Sequence, residues 1–98
     1  MKWYQYVLPT YGNWGGPGWS GGAYIDDPKH MNWLVQPIDA VDAAFYRHDW
    51  KYQHGYDRRK ADIELLEELG VINAYGVRAN AYKIGAEVAI TLKLLFNT

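Results

Sequence analysis

The sequence predicts a small, mainly α-helical domain in which two antiparallel helices follow a glycine-rich loop and precede a third, C-terminal helix. Three observations support this prediction. Apolar residues recur at helical spacing in the second half of the chain, glycines cluster between residues 11 and 22, and cysteine is absent, so no disulfide can form. At 98 residues the chain is expected to form a single domain over 1–98.

The first third of the chain lacks helical periodicity. Residues 1–10 are predicted to be an extended or irregular lead-in, residues 11–22 a glycine-rich loop, and residues 23–36 a loop or small irregular element. Glycine tolerates positive φ, so a glycine-rich loop can turn several backbone carbonyls toward one centre.

The first helix is predicted from about Asp39 to His54. Asp39 fits the N-cap position, Asp42 completes a capping-box-like pair, and Gly55 ends the helix. Its apolar face consists of Val41, Ala44, Phe45, His48 and Tyr52. A histidine therefore lies on the inward face, and Asp49 follows it one step round the helix.

The second helix is predicted from about Asp57 to Leu69, with Gly70 as its C-terminal stop. Its apolar stripe consists of Ala61, Leu65, Leu66 and Leu69. Asp62 lies on this same stripe, where a carboxylate must find partners or destabilise the fold.

The third helix is predicted from about Ala74 to Phe96, although Gly76 and Gly85 weaken the pattern. The face expected to pack across the other two helices is Val77, Ala81, Ile84, Val88, Leu92 and Leu95. The most apolar run, 84–96, is too short to span a bilayer and includes charged residues.

Composition narrows the classes of function. A formal net charge of −1 argues against a nucleic-acid binder that relies on a broad basic surface. Neither a signal peptide nor a transmembrane helix is recognised, so we expect a soluble protein that acts at membrane surfaces. The sequence leaves open whether the chain is a virion, phage, bacterial or secreted component, and it leaves open the oligomeric state.

Aromatic residues are abundant, with five Trp, nine Tyr and two Phe. They have two compatible interpretations: they fill a small core, or some insert at a lipid–water boundary, where amphipathic rings are favoured. The candidates for membrane contact are Trp3, Trp14, Trp19 and Trp33.

Two segments carry a family resemblance. Residues 11–18, YGNWGGPG, resemble the calcium loop of secreted-type phospholipase A2, written YGCxCGxGG in that family. Residues 42–52, DAAFYRHDWKY, resemble its helix signature DxCCxxHDxCY, and the Ala61-Asp62 pair looks more like the cysteine-poor phospholipase A2 domains of parvovirus capsid proteins. The resemblance covers roughly residues 11–69.

The chain departs from this pattern at every cysteine of the two motifs. The family's cysteine positions are occupied by Asn13, Gly15, Ala44, Phe45 and Lys51, and the last glycine of the family loop is replaced by Trp19. None of these changes removes a group that the family's reaction uses, but together they remove its disulfide framework.

The resemblance implies calcium-dependent hydrolysis of the sn-2 ester of glycerophospholipids at a membrane surface, releasing a fatty acid and a lysophospholipid. It implies that Asp49 gives a carboxylate to Ca²⁺ and that Trp14, Gly16 and Gly18 give backbone carbonyls. Such an all-oxygen set suits calcium. The N–H of Gly16 would face the developing oxyanion.

The resemblance also assigns the proton chemistry. His48 would take a proton from the attacking water, Asp62 would accept a hydrogen bond from its second nitrogen, and Tyr52 would hold Asp62. The family has a second tyrosine that binds this aspartate, and the sequence offers both Tyr75 and Tyr82 as candidates without deciding between them.

Two alternatives remain at this point. The chain could be a catalytically silent relative that binds lipid or a protein, or an unrelated helical domain in which the matches are accidental. On spacing alone, a mid-helix carboxylate is usually a surface group, and a lone histidine on an apolar face is usually a core residue. A serine esterase has no support because the GxSxG elbow is missing.

Overall fold

The computed structural model describes residues 10–16, 19–25, 29 and 31–96. These residues include a two-stranded antiparallel hairpin and three helices: β1 (Trp19–Ser20), β2 (Ala23–Tyr24), α1 (Ala40–Gln53), α2 (Arg58–Val71) and α3 (Val77–Phe96). The prediction of a mainly helical, disulfide-free chain is confirmed. Most of the predicted lead-in, residues 1–9, lies outside the described residues.

Helix α1 begins and ends within one residue of its predicted bounds. Asp39 is the N-cap, and its side chain accepts a hydrogen bond from the backbone N–H of Asp42 at 2.8 Å. At the other end, the chain turns through Gly55, whose φ of 75° is one that glycine adopts readily. Local capping chemistry therefore defines this helix, as its sequence predicts.

Helix α2 runs past the predicted stop. Asp57 caps its N-terminus by accepting from the backbone N–H of Lys60 at 3.0 Å. Gly70 was predicted to end the helix, which is wrong, because the helix continues to Val71 and Ile72 is the C-cap. Glycine permits a left-handed stop but does not require one. Of the predicted stripe, Ala61, Leu65 and Leu69 are buried and Leu66 is half-buried. Asp62 is buried beside them, as expected.

Ion pairs between α1 and α2 show that the two helices are antiparallel. Arg47 Nε lies 2.8 Å from Glu68 Oε1, and Lys51 pairs with Glu64 one turn further along α1. Residue numbers thus rise along α1 while they fall along α2. This orientation brings the inward faces of both helices together and buries Phe45 and Leu65 in one core.

Helix α3 turns a different face inward from the one predicted. The face expected to pack across the other helices is largely exposed, with exposed fractions of 59% for Ile84, 56% for Val88 and 49% for Leu92. The inward face instead carries Ala79, Tyr82, Ala86 and Ile90. Apolar residues occupy both sides of α3, so periodicity alone could not decide between them. Small alanines at 79 and 86 let this side approach the core closely.

The indole of Trp14 is at the centre of the core and is fully buried. It stacks on Trp33 with ring centroids 5.1 Å apart, and Tyr46 meets it edge-on at 4.7 Å. Its Nε1–H donates to the carbonyl of Val35 at 3.0 Å. The prediction that Trp14 contacts a membrane is therefore wrong, because its ring is a core element anchored by a hydrogen bond.

Over the ranges that the structure describes, none of the helices combines the length and the apolar character needed to cross a bilayer.

Candidate active site

A single buried carboxylate, that of Asp42, joins the glycine-rich loop to α1. It accepts hydrogen bonds from the backbone N–H groups of Asn13 at 2.9 Å and Trp14 at 2.8 Å, and from that of Ile38 at 3.0 Å. The loop passes so close that a Cβ added to Gly12 would lie 2.5 Å from the Asp42 carboxyl carbon. These bonds and this close approach hold the loop against the first turn of α1.

The segment before α1 supports the loop from the other side. The Asn13 amide donates to the carbonyl of Gln36 at 2.9 Å, and the Tyr46 hydroxyl donates to the carbonyl of Trp33 at 2.9 Å. Asn13 occupies a position where the resembling family carries a cysteine. Hydrogen bonds and stacked rings thus hold the loop in a chain that has no cysteine.

The imidazole of His48 meets the carboxylate of Asp62 between α1 and α2. His48 Nε2 lies 2.7 Å from Asp62 Oδ1, and the Asp62 side chain is only 3% exposed. An ionised carboxylate can only accept, so Nε2 carries the proton and donates it. When the imidazole is neutral, its other nitrogen, Nδ1, is an acceptor, and this nitrogen lies 3.9 Å from Asp49 Oδ1. The contact expected between His48 and Asp62 is present.

Two further groups bind Asp62. The Tyr52 hydroxyl donates to Oδ1 at 2.6 Å, and Lys93 Nζ lies 2.8 Å from Oδ2. The expectation that Tyr75 or Tyr82 would be the second partner is not met. Tyr75 is 91% exposed, whereas Tyr82 lies in a cavity wall beside α1. A lysine from α3 occupies the position for which a tyrosine was sought.

The charges around Asp62 favour its ionised form. Burial by itself raises the pKa of Asp62, but the hydrogen bonds from His48, Lys93 and Tyr52 outweigh it and lower the pKa below its ordinary value. The pKa of Lys93 is raised, because its bond to Asp62 outweighs its own partial burial. Burial and the bond to Asp62 also raise the pKa of the Tyr52 hydroxyl. At neutral pH the cluster therefore contains a carboxylate, an ammonium group and a neutral phenol.

The carboxylate of Asp49 is in the opposite situation. Its pKa is raised to about 6, chiefly by burial and further by the charge of Asp42, although the neighbouring His48 acts in the other direction. Its side chain is 24% exposed, so part of it meets solvent. A desolvated carboxylate of this kind is stabilised by a cation.

A cavity of about 590 Å³ connects these groups. His48, Asp49 and Gly16 form part of its wall, and apolar side chains such as Phe45 and Ile90 form much of the remainder. A few polar groups that converge within a mainly apolar cleft are typical of a site for an amphiphilic small molecule.

The predicted site residues can now be located. Those that line the one cavity are Trp14, Gly16, His48, Asp49, Tyr52 and Asp62. The carbonyl of Gly16 already accepts a hydrogen bond from the N–H of Trp19 at 3.2 Å. One of the two lone pairs of this carbonyl oxygen therefore remains for a cation. Gly18 lies outside the described residues, so its predicted carbonyl ligand stays a prediction.

In the described part of the chain, no three His, Asp or Glu side chains converge as a metal-binding group. The predicted calcium cage is of a different kind, because it has one carboxylate and draws its other protein oxygens from the backbone. The predicted donors, the Asp49 carboxylate and the loop carbonyls, are all hard oxygens, and this donor chemistry suits calcium.

Sequence reasoning missed two residues of this site. Asp42 was assigned to helix capping and is the first residue of the helix signature, but nothing in its spacing indicates that it also accepts hydrogen bonds from the loop. Lys93 follows Ala86 and Ile90 by seven and three residues, so it belongs to their face of α3. It would have been found if that face had been chosen as the inward one.

Comparisons with protein-family models, with curated proteins and with solved structures found no match for this chain.

Proposed function

We propose that the chain is a phospholipase A2 that hydrolyses the sn-2 ester of glycerophospholipids in the presence of calcium. The observation that supports this most strongly is the direction of the imidazole. His48 donates through Nε2 to a buried carboxylate, and its other nitrogen is the acceptor beside Asp49 in an apolar cleft. A neutral imidazole oriented in this way can accept a proton from water.

Calcium suits the oxygen donors that Asp49 and the glycine-rich loop would offer. Asp49 would give the carboxylate, the carbonyls of Trp14 and Gly16 would give neutral oxygens, and Gly18 is assigned by the resemblance. Bound there, calcium would supply Lewis-acid polarisation of the substrate ester. A cage with a single carboxylate carries little charge, so its affinity should be modest, with a Kd on the order of 10⁻⁴–10⁻³ M.

The residues of the chain supply the proton transfers. His48 Nδ1 accepts a proton as a water oxygen attacks the sn-2 carbonyl carbon, and Asp62 stabilises the imidazolium that forms. The N–H of Gly16 donates to the oxygen on which negative charge develops. The imidazolium then returns the proton to the leaving glycerol oxygen. The products are a fatty acid and a lysophospholipid, and no bond forms between enzyme and acyl group.

The substrate would be drawn from a phospholipid surface, and the exposed side of α3 suits contact with it. Ala89 forms part of the cavity wall, and Leu92 lies about 60° round the helix from it at 100° per residue. Exposed Ile84, Val88, Leu92 and Leu95 continue this apolar surface away from the cavity. We call these four residues the α3 apolar stripe. It replaces Trp14 as the candidate for membrane contact, whereas Trp3 lies outside the described residues.

The first test is hydrolysis of sn-2-labelled phospholipid vesicles with calcium well above its expected Kd of about 10⁻⁴–10⁻³ M, and again with excess chelator. Hydrolysis should require calcium. Asp49→Lys should abolish it, because an ammonium group would then lie where the cation belongs. Glu67→Lys is the matched control: Glu67 is an exposed glutamate on α2, so the same change of charge should leave the rate unaltered.

Each result of this test distinguishes between classes of function. Full activity in chelator would exclude the calcium mechanism. Vesicle binding without any hydrolysis would instead support the silent lipid-binding relative. If the protein neither binds vesicles nor hydrolyses phospholipid, the remaining interpretation is an unrelated helical domain.

A further inference from the structure

Lys93, on α3, forms an ion pair with Asp62, the carboxylate partner of His48. Its Nζ lies 2.8 Å from Asp62 Oδ2 and also donates to the Tyr52 hydroxyl. Its side chain is 44% exposed, whereas that of Asp62 is 3% exposed. The ammonium group therefore reaches from the surface of α3 to a carboxylate buried between α1 and α2.

We propose that Lys93 is a positioning residue of the active site, which holds Asp62 in the orientation that directs His48. This inference rests on the proposed function, because it assigns Lys93 to the same reaction. Lys93 is distinct from the catalytic residues, since it acts on the imidazole through Asp62.

The distribution of bonds over the two carboxylate oxygens supports the proposal. Oδ1 accepts from both His48 and Tyr52, and among the described residues only Lys93 binds Oδ2. Loss of Lys93 would leave a buried anionic oxygen without a partner, which is strongly unfavourable. The carboxylate would then rotate or take up a proton. Either change would weaken its hydrogen bond to His48 Nε2.

This ion pair differs from an ordinary surface pair. Exposed salt bridges contribute little, because water competes for both partners. Here one partner is almost fully enclosed, and the bond is charge-assisted, so its geometry is restricted. The lowered pKa of Asp62 and the raised pKa of Lys93 agree with a bond that favours both charged forms.

The contact also relates the cavity wall to the proton chemistry. Ala86, Ile90 and Lys93 lie on the same side of α3, and all three line the cavity. The guanidinium of Arg59 donates to the carbonyl of Leu94 at 3.4 Å, which adds a further hydrogen bond between α2 and this end of α3. The wall that would contact an acyl chain is thus joined, through Lys93, to the carboxylate that orients the base.

The experiment compares Lys93→Met, which keeps an unbranched side chain of similar length but removes the charge, with Lys93→Arg, which keeps the charge. Lys83→Met is the matched control, since Lys83 is on the same helix and pairs only loosely with Glu87 at 4.0 Å. Circular dichroism and thermal melts show which variants fold. Steady-state hydrolysis of vesicles separates kcat from KM. Long-range ¹H–¹⁵N spectra report which nitrogen of His48 carries the proton, without any need for substrate.

We expect Lys93→Met to lower kcat about tenfold or more, which is part of the 10²–10⁴-fold that a general base typically contributes. Its KM should stay within about twofold, since an interaction that acts only on the transition state leaves KM unchanged. Lys93→Arg should restore most of the rate, and Lys83→Met should behave like the unmutated protein. In Lys93→Met the proton of His48 should no longer be confined to Nε2.

A double variant shows whether Lys93 acts through Asp62. If it does, the double variant Lys93→Met/Asp62→Asn should have a kcat only slightly lower than that of Asp62→Asn alone, because Asp62, through which Lys93 acts, is already altered. If the two losses multiply, or if Lys93→Met raises KM at unchanged kcat, Lys93 contacts the substrate directly and the positioning proposal is overturned.

The two proposals can fail separately. If the unmutated protein hydrolyses phospholipid and Lys93→Met folds and matches its kcat, the positioning proposal fails and the phospholipase proposal stands. If the unmutated protein does not hydrolyse phospholipid, the proposed function fails. The His48 spectra alone then test whether Lys93 controls which nitrogen of His48 carries the proton. An unchanged Nε2–H tautomer in folded Lys93→Met then overturns the positioning proposal.

Discussion

The backbone N–H of Trp14 donates to the carboxylate of Asp42 at 2.8 Å, across 28 positions of sequence. Both residues are fully buried, and the same carboxylate also accepts from Asn13 and Ile38. A charged group at the first turn of α1 therefore holds the loop beside His48 and Asp49. The chain has no cysteine that could do so covalently.

Asp42→Ala should cause a large loss of stability. It leaves three backbone N–H groups without their acceptor: that of Trp14 is buried, and those of Asn13 and Ile38 are partly buried. Each buried group left unpaired costs roughly 1–3 kcal/mol, and a partly buried one costs less. We expect the free energy of unfolding to fall by about 3 kcal/mol or more. Asp57→Ala, which removes the exposed N-cap of α2, should cost only about 1 kcal/mol. Urea unfolding of both variants is the measurement, and equal losses would contradict the importance assigned to Asp42.

Gly12→Ala and Gly85→Ala should change stability in opposite directions. Gly12 has φ of 55°, and its new Cβ would meet the Asp42 carboxylate at 2.5 Å. Gly85 lies on the exposed side of α3 with open space around the new Cβ. Alanine there should gain roughly 0.5–1 kcal/mol in helix stability. Thermal melts should show a lower Tm for Gly12→Ala and a higher one for Gly85→Ala; a Gly12→Ala protein as stable as the unmutated chain would refute the close loop contact.

The pKa of Asp49 predicts how stability depends on pH without calcium. Its pKa is about 6 in the folded protein, whereas an unperturbed aspartate, as in the unfolded chain, has a pKa of 3.8. The folded state therefore binds this proton more tightly. The resulting stabilisation is complete below pH 3.8 and is lost as pH rises through about 6. The shift of about 2 units corresponds to at most about 3 kcal/mol.

Asp49→Asn should therefore be more stable than the unmutated protein in chelator at pH 8, because it has no desolvated charge. This advantage should shrink as pH falls toward 4. Saturating calcium should reverse the order, because only the carboxylate gains from the cation. Urea titrations at the two pH values, with and without calcium, provide the check. An advantage of Asp49→Asn that did not vary with pH would have another origin.

Asp62→Asn should affect the rate and leave calcium affinity unaltered. The amide can still bond to His48 but lacks the charge that stabilises imidazolium, whereas His48→Gln removes the base itself. We expect His48→Gln to cost about 10²–10⁴-fold or more in kcat, and Asp62→Asn some fraction of that. Calcium titrations and vesicle hydrolysis should be run in parallel. The pairing of His48 with Asp62 would lose its assigned role if Asp62→Asn kept the full rate, or if it lost calcium as completely as Asp49→Lys.

The α3 apolar stripe should govern binding to vesicles. Leu92→Ser removes an exposed side chain near the cavity, so it should reduce sedimentation with vesicles and hydrolysis of vesicular substrate. It should leave hydrolysis of a monomeric, short-chain phospholipid nearly unchanged. Val71→Ser is the control, since Val71 is 83% exposed at the end of α2 and lies outside the stripe. Equal effects of the two variants on vesicle binding would show that the stripe is not a lipid-contact surface.

Local interactions made much of this fold predictable. The N-cap at Asp39, the inward face of α1 and the buried stripe of α2 with Asp62 all depend on residues a few positions apart. Capping and amphipathic spacing act over that range, so sequence pattern alone identifies them. The end of α2 was not predictable in the same way, because glycine at position 70 is compatible with both a stop and a continued helix.

The sequence by itself determined three helices, a chain without disulfides, and a histidine and an aspartate on facing helical stripes. Only the tertiary structure decided which side of α3 turns inward, and hence that Lys93 on α3 reaches Asp62 on α2. It also decided that Asp42 anchors the loop. The physical reason is that these contacts join residues 28 or more positions apart along the chain. Their formation depends on how the helices pack together, and α3 offers apolar side chains on both of its sides.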